Sequence, residues 1–251
     1  MPRRSSDPMI TDTLHQLRSL KLNAMADELT HIIASPGNQN ITTSELLSRI
    51  VDAEYRKKSE TRIKGLIKRA GFNNPSASLD QIDYDQDRKI NRNIIDQLHT
   101  NEYIQQHRNV IIEGPTGAGK SFISQALGVN ACQSGYHVRY YGMFDLMTDL
   151  SINEESAEKM KLFIKSLAKP DVLIIDDFMM TNIFTEAQDY LLKILDQRSQ
   201  RKTTIVSSQL MEVSWKHRLT DQAIGEAIID RLVHNAFKLN IEGKDMREKY
   251  N

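Results

Sequence analysis

The chain has 251 residues, enough for one large domain or for a domain with a smaller companion. Its 33 basic and 33 acidic residues balance, so it has no global attraction to a polyanion, and any basic surface has to be local. A single cysteine, Cys132, excludes an internal disulfide framework and suits a reducing cytoplasm, with the thiol read as a small core residue. No apolar run reaches the length of a membrane span, and no apolar signal segment follows the basic Arg3-Arg4 in residues 1–7, so a soluble cytoplasmic protein is expected.

In chain order, Leu14, Leu17, Leu20, Met25 and Leu29 recur at three- and four-residue spacing, which predicts one amphipathic helix over 11–34. Ser35-Pro36-Gly37-Asn38 breaks it. A second helix starts at 43–45, carries Leu46, Leu47, Ile50, Val51, Ile63, Leu66 and Ile67, and ends at Ala70 with Gly71 as its C-terminal cap. Along it, Arg56, Lys57, Lys58, Arg62, Lys64, Lys68 and Arg69 stand against one acid, Glu60. Such density marks a local DNA footprint, or else a solvated face near a helix C-terminus. Residues 72–85 turn polar and acidic around Pro75. They are expected to be a linker between an N-terminal helical domain, 1–75, and a second domain, 76–251.

From there, β-branched or aromatic runs at 109–113, 137–141, 171–175, 203–207 and 237–241 alternate with helical patterns. The helices fall at 122–134, in two parts over 143–167, at 185–199 and at 223–235. Five strands separated by helices predict an α/β fold with a parallel sheet covered on both faces. Strand alternation puts one of Tyr140 and Tyr141 in the core and the other on the surface.

The first strand runs into Gly114-Pro115-Thr116-Gly117-Ala118-Gly119-Lys120-Ser121, a G-x-x-x-x-G-K-S run between a strand and a helix. Glycines let such a loop wrap a polyphosphate, and the backbone N–H groups of the helix N-terminus point at it. Lys120 supplies a point charge to the outer phosphates, and the Ser121 hydroxyl helps hold Mg2+. This predicts a nucleoside triphosphate site. The third strand, Val172-Leu173-Ile174-Ile175, ends in Asp176-Asp177. Asp176 is the expected Mg2+-side carboxylate, acting through water, while Asp177 orients or deprotonates an attacking water or merely caps the next turn. At the end of the fourth strand, Gln209 or Ser208 is placed to reach the γ-phosphate or the water. No Asn-Lys-x-Asp guanine motif occurs, which favours ATP.

These motifs, with Ala227-Ile228-Ile229-Asp230-Arg231-Leu232-Val233-His234-Asn235, resemble the IstB/DnaC branch of the AAA+ ATPases over about residues 12–247, closest to the IstB type of bacterial insertion sequences. The resemblance implies a P-loop AAA+ (ASCE) fold, a small all-helical N-terminal domain and, with about ten residues after the last strand, no C-terminal lid. It implies ATP and Mg2+ as cofactors, and a homo-oligomer formed with ATP on duplex DNA to assist a transposase. A DnaC-like helicase loader is the alternative, and a small-molecule P-loop kinase a more distant one. Position by position, Gln209 falls at the sensor position, and Arg231 where an arginine finger reaches a neighbouring subunit's nucleotide. On residue chemistry alone Arg231 could instead pair with Asp230 or Glu226. Arg247 matches a late arginine that senses nucleotide within its own subunit. Relatives place the adenine pocket near the helix around 91–98, and line a central DNA-binding surface with the region holding Lys159, Lys161, Lys165 and Lys169. Many AAA+ proteins have glutamate where Asp177 stands, and its shorter arm predicts slow, partner-stimulated hydrolysis. Arg198, Arg201 and Lys202 are candidates for an inter-subunit contact, and Trp215 is read as a packing anchor.

Overall fold

The computed structural model describes residues 8–35, 37, 41–85, 88–181 and 183–243. The chain divides into two compact units, Met1–Lys64 and Gly65–Asn251.

In the first unit the expected single helix over 11–34 is two helices, α1 (Pro8–Ser19) and α2 (Asn23–Ala34). Lys21 takes φ 60° between them, and the Leu22 amide donates back to Leu17 O (2.8 Å), closing α1 as a left-handed cap does. The apolar stripe continues across the break, which is why spacing alone reads through it. α3 (Thr43–Ala70) follows, ending as expected before Gly71 at φ 80°. Leu22, at the start of α2, offers no side-chain cap. The buried Glu54 of α3 caps it instead: the Ala24 and Met25 amides donate to its Oε2 (2.9 and 3.1 Å). A carboxylate there satisfies orphan donors and complements the helix dipole. Glu54→Ala is expected to destabilise the first unit by about 1–3 kcal/mol. Amide hydrogen exchange in α2 of the full chain should report it; unchanged protection there would refute the cap.

In the second unit, α4 (Arg92–His99) and α5 (Glu102–Gln105) precede β1 (Val110–Glu113). The chain then alternates: α6 (Lys120–Gln133), β2 (Val138–Gly142), α7 (Met143–Asn153), α8 (Ala157–Ala168), β3 (Val172–Asp176), α9 (Thr185–Arg198), β4 (Thr203–Ser208), α10 (Gln222–Val233) and β5 (Phe237–Asn240). Among the described residues five strands form one parallel sheet, ordered β2-β3-β4-β1-β5. β1, β3 and β4 are buried along their whole length, since helices cover both faces; β1 and β3 read as apolar runs ending in an acid, while β4 buries Thr203, Thr204, Ser207 and Ser208 around Ile205 and Val206. Val110 and Ile112 join the core under α6, and Ile111 the core under α7–α10.

Three expectations change here. Residues 72–85 are not an unattached linker: Ala77, Leu79 and Ile82 are buried in the α6-side core, with Phe72 and Tyr84 packed against it. The acids between them dominate composition while the apolar positions face inward, and the division into units falls earlier, inside α3. Tyr140 and Tyr141 are both buried, one in each core, because β2 too is covered on both faces. Arg198 is buried and donates to Leu167 O and Pro170 O (both 2.9 Å), while Lys202 pairs with Asp171 (2.6 Å). Arg198 therefore ties the segment entering β3 to β4, and its burial removes it from any interface. Cys132 and Trp215 are buried as expected, with Trp215 edge-on to Phe178 at 4.9 Å. No helix among the described residues is long and apolar enough to cross a membrane.

Candidate nucleotide site

The strand order decides which residues meet. β4 lies between β1 and β3, so the residues after β4 sit between the phosphate loop that follows β1 and the acidic pair that ends β3. A cleft of about 790 Å3 is lined by Thr116, Gly117, Gly119, Lys120, Ser121, Asp177 and Gln209. Gln81, Ile82, Asp83, Arg88, Phe122 and Ile123 complete the lining. This is the C-terminal edge of the sheet, where open parallel sheets bind ligands.

The loop's glycines are required by close approach. A Cβ at Gly114 would sit 2.4 Å from the Ile241 carbonyl oxygen, and one at Gly119 (φ 88°) 2.9 Å from Arg88 Nη2. Lys120 is 5% exposed, its ammonium donating to Pro115 O (2.8 Å) within the loop. The Thr116 hydroxyl donates to Gln209 Oε1 (2.6 Å), which joins the phosphate loop to the end of β4. Ser208 serves another purpose: buried, it donates to Phe178 O (2.7 Å) and accepts from Trp215 Nε1 (3.2 Å). Of the two candidates at the end of β4, Gln209 is the one on the cleft.

Asp176 is 3% exposed, beneath the cleft surface. The Tyr140 hydroxyl donates to its Oδ2 (2.8 Å) and the Ser207 hydroxyl to its Oδ1. Burial and the neighbouring Asp176 push the Tyr140 phenol well above its usual range, so it stays a donor. Asp177 takes φ 54°; its carbonyl accepts from the Met180 amide (3.1 Å) while its exposed side chain lines the cleft. Among the described residues no cluster of three or more His, Cys, Asp or Glu could hold a metal by itself. One carboxylate and one hydroxyl beside a phosphate cradle form an all-oxygen donor set, which suits Mg2+ bound partly by the nucleotide and water.

Two residues outside the motifs, Arg88 on the cleft and Glu113 behind it, hold its surroundings. Arg88 is buried and donates to Ala118 O (2.7 Å) and to Asp83 O, bracing the phosphate loop against the segment leading into the unit. Glu113, at the end of β1, accepts from the Glu212 amide (2.6 Å), and burial holds its carboxyl above the usual range. Gln81–Asp83 and Arg88 form one wall of the cleft, to which α4 contributes no lining residue.

Arg231, on α10, is not a lining residue of its own chain's cleft. Its Nε and Nη2 donate to Asp196 Oδ1 on α9 (3.2 and 3.1 Å), and its Nη1 stands 3.9 Å from Asp230. Arg56, Lys57, Lys58, Arg62 and Lys64 are exposed on α3, and Lys159, Lys161 and Lys165 on α8. None of them lines the cleft. Arg247 lies outside the described residues.

The parallel sheet, the strand inserted between the phosphate-loop strand and the acid-bearing strand, and the cleft at their ends define a P-loop protein of the AAA+ fold. Solved structures agree on the fold. DnaI superposes with TM-score 0.56 at 17% identity, covering 71% of this chain and 93% of that one. AMPPCP-bound DnaA from Aquifex aeolicus superposes at 0.57 and 20% identity, over 71% of this chain and 54% of that one. Residues 15–251 match the family described as IstB-like ATP binding protein, and the chain belongs to that family. Among its relatives, the insertion-sequence ATP-binding protein y4uH of Sinorhizobium fredii is 34% identical over 94% of both chains. The IS1162 ATP-binding protein of Pseudomonas fluorescens is 32% identical, covering 80% of this chain and 87% of its own.

Proposed function

We propose that this protein is an ATPase that assembles with ATP on duplex DNA and assists a transposase in insertion-sequence transposition, with hydrolysis as the switch. The carrying observation is the convergence of Lys120, Asp177 and Gln209 on one cleft that does not include Arg231. Such a cleft is half of a site that a second copy can complete. Lys120 and the loop amides hold the β- and γ-phosphates, and Gln209 positions the attacking water. Ser121 and, through water, Asp176 would hold Mg2+, which supplies neutralising charge at those phosphates. Asp177 accepts the proton as water attacks the γ-phosphorus and the β–γ bridging bond breaks, releasing ADP and phosphate. Arg231 of a neighbouring copy then meets the charge on the transferred group. The exposed basic faces of α3 and α8 are the DNA-contact candidates, as clustered cations in a chain of zero net charge are where phosphate contacts concentrate.

Relatives named for insertion sequences over nearly the whole chain favour a transposase as client over a replicative helicase. Sedimentation on duplex DNA of graded length, with and without ATP, tests the reading. Large ATP-dependent assemblies that grow with duplex length are expected. A monomer indifferent to DNA in every state would replace this reading with a small-molecule kinase on the same loop.

A further inference from the structure

Two hydrogen-bond chains leave the segment that follows α3 and end on the two metal-side residues. In one, Asn73 Nδ2 donates to the Tyr140 hydroxyl (3.3 Å), which donates to Asp176 Oδ2 (2.8 Å). In the other, the Asn74 amide donates to Gln125 Oε1 (2.7 Å), and Gln125 Nε2 donates to the Ser121 carbonyl (3.1 Å). Tyr140 and Gln125 are buried, and the Tyr140–Asp176 bond is made away from water, where losing one partner leaves the other unsatisfied; the bonds to Asn73 and Asn74 are only part-buried. The two chains start on adjacent residues just past the end of α3, where Gly71 (φ 80°) turns the backbone.

We propose that Tyr140 and Gln125 are positioning residues for the Mg2+-side pair Asp176 and Ser121, and that Asn73 and Asn74 hold both to the C-terminal end of α3. Tyr140 aims the carboxylate by occupying one lone pair of Oδ2, as Ser207 does on Oδ1, leaving the remaining lone pairs for a metal-bound water. Gln125 fixes the backbone of Ser121, and through it the direction of the hydroxyl. Displacing the end of α3 therefore loosens both metal-side residues at once, while the phosphate contacts of Lys120 and the loop amides stay in place. The consequence is specific: these residues set how much Mg2+ tightens nucleotide binding, and leave metal-free binding alone.

The inference rests on the Mg2+–ATP reading of the cleft, and one experiment separates the two. The affinity of the full chain for a fluorescent, non-hydrolysable ATP analogue is measured by anisotropy in Mg2+ and in EDTA, for wild type, Tyr140→Phe, Gln125→Ala and Asn73→Ala. Partners that orient metal ligands are typically worth about tenfold or more in metal affinity, so Tyr140→Phe should cut the Mg2+ enhancement about tenfold with the EDTA value unchanged. Gln125→Ala should act similarly, and Asn73→Ala in the same direction but less, because the tyrosine remains. A Tyr140→Phe protein with the wild-type Mg2+ enhancement, or with equal losses in both buffers, overturns the positioning role and leaves Tyr140 a packing residue. A wild-type chain whose binding ignores Mg2+ overturns the Mg2+–ATP reading itself, and the positioning role with it.

Discussion

Lys120→Ala is expected to abolish ATP binding at working concentrations. The ammonium is buried at the base of the loop, 5% exposed, and donates to Pro115 O, so a bound polyphosphate meets a cation already desolvated and oriented. Truncating one partner of a buried charge pair costs about 2–5 kcal/mol, or roughly 30- to 4,000-fold in Kd. Titration with a fluorescent ATP analogue measures the loss, and a melting curve in the absence of nucleotide controls for folding. The side chain spans the loop it braces, so a modest change in melting temperature is compatible with the assignment. An unchanged Kd is not. If assembly on DNA depends on ATP, the same variant should stay small on long duplex.

Arg231→Ala is expected to give the opposite pattern. Because Arg231 is not part of its own chain's cleft, the isolated variant should bind ATP as wild type does. Its assembly-stimulated hydrolysis should fall by about 10³-fold, the lower end of what an arginine finger contributes. The bond to Asp196 is no obstacle: the two side chains are 32% and 63% exposed, and an exposed ion pair holds by only about 0.2–1 kcal/mol. A neighbouring triphosphate is a far stronger competitor for the guanidinium. Mixing provides the decisive measurement. Lys120→Ala copies cannot bind ATP but still offer Arg231, whereas Arg231→Ala copies bind ATP but offer no finger. Co-assembled, they should recover part of the lost turnover. No recovery, with both variants folded and co-sedimenting in one assembly, would return Arg231 to a surface ion pair between α9 and α10.

Lys120 and Arg231 are both legible as candidates in the amino-acid sequence, and for Lys120 the reason is local. A phosphate loop works through consecutive residues: its glycines, lysine and serine must be adjacent in sequence to be adjacent in space. The acid pair Asp176-Asp177 is likewise the last step of a buried apolar strand, and the α3 boundary follows from Gly71 at its end. Alternating β-branched or aromatic runs and helical patterns are enough for five parallel strands, and the signature is clearest in β3, whose burial on both faces leaves four consecutive apolar residues.

The remainder depends on contacts far apart in sequence. Spacing joins α1 and α2 because hydrophobic periodicity persists through a one-residue left-handed break at Lys21. Composition makes 72–85 resemble a linker because its acids mask the apolar residues that the core absorbs. Arg198 looks like any surface cation until its carbonyl partners are assembled around it. The site's bracing falls in the same class: Tyr140 reaches Asp176 across 36 positions, Arg88 reaches Ala118 across 30, and Glu54 caps α2 across 30. The chain alone therefore determined which candidate chemistry it carries: a phosphate-loop motif and an acid pair at the end of a buried strand. Only the tertiary structure decided how that chemistry is held, because a hydrogen bond between distant residues depends on the strand order and helix packing that bring them within about 3 Å, and no local pattern encodes that.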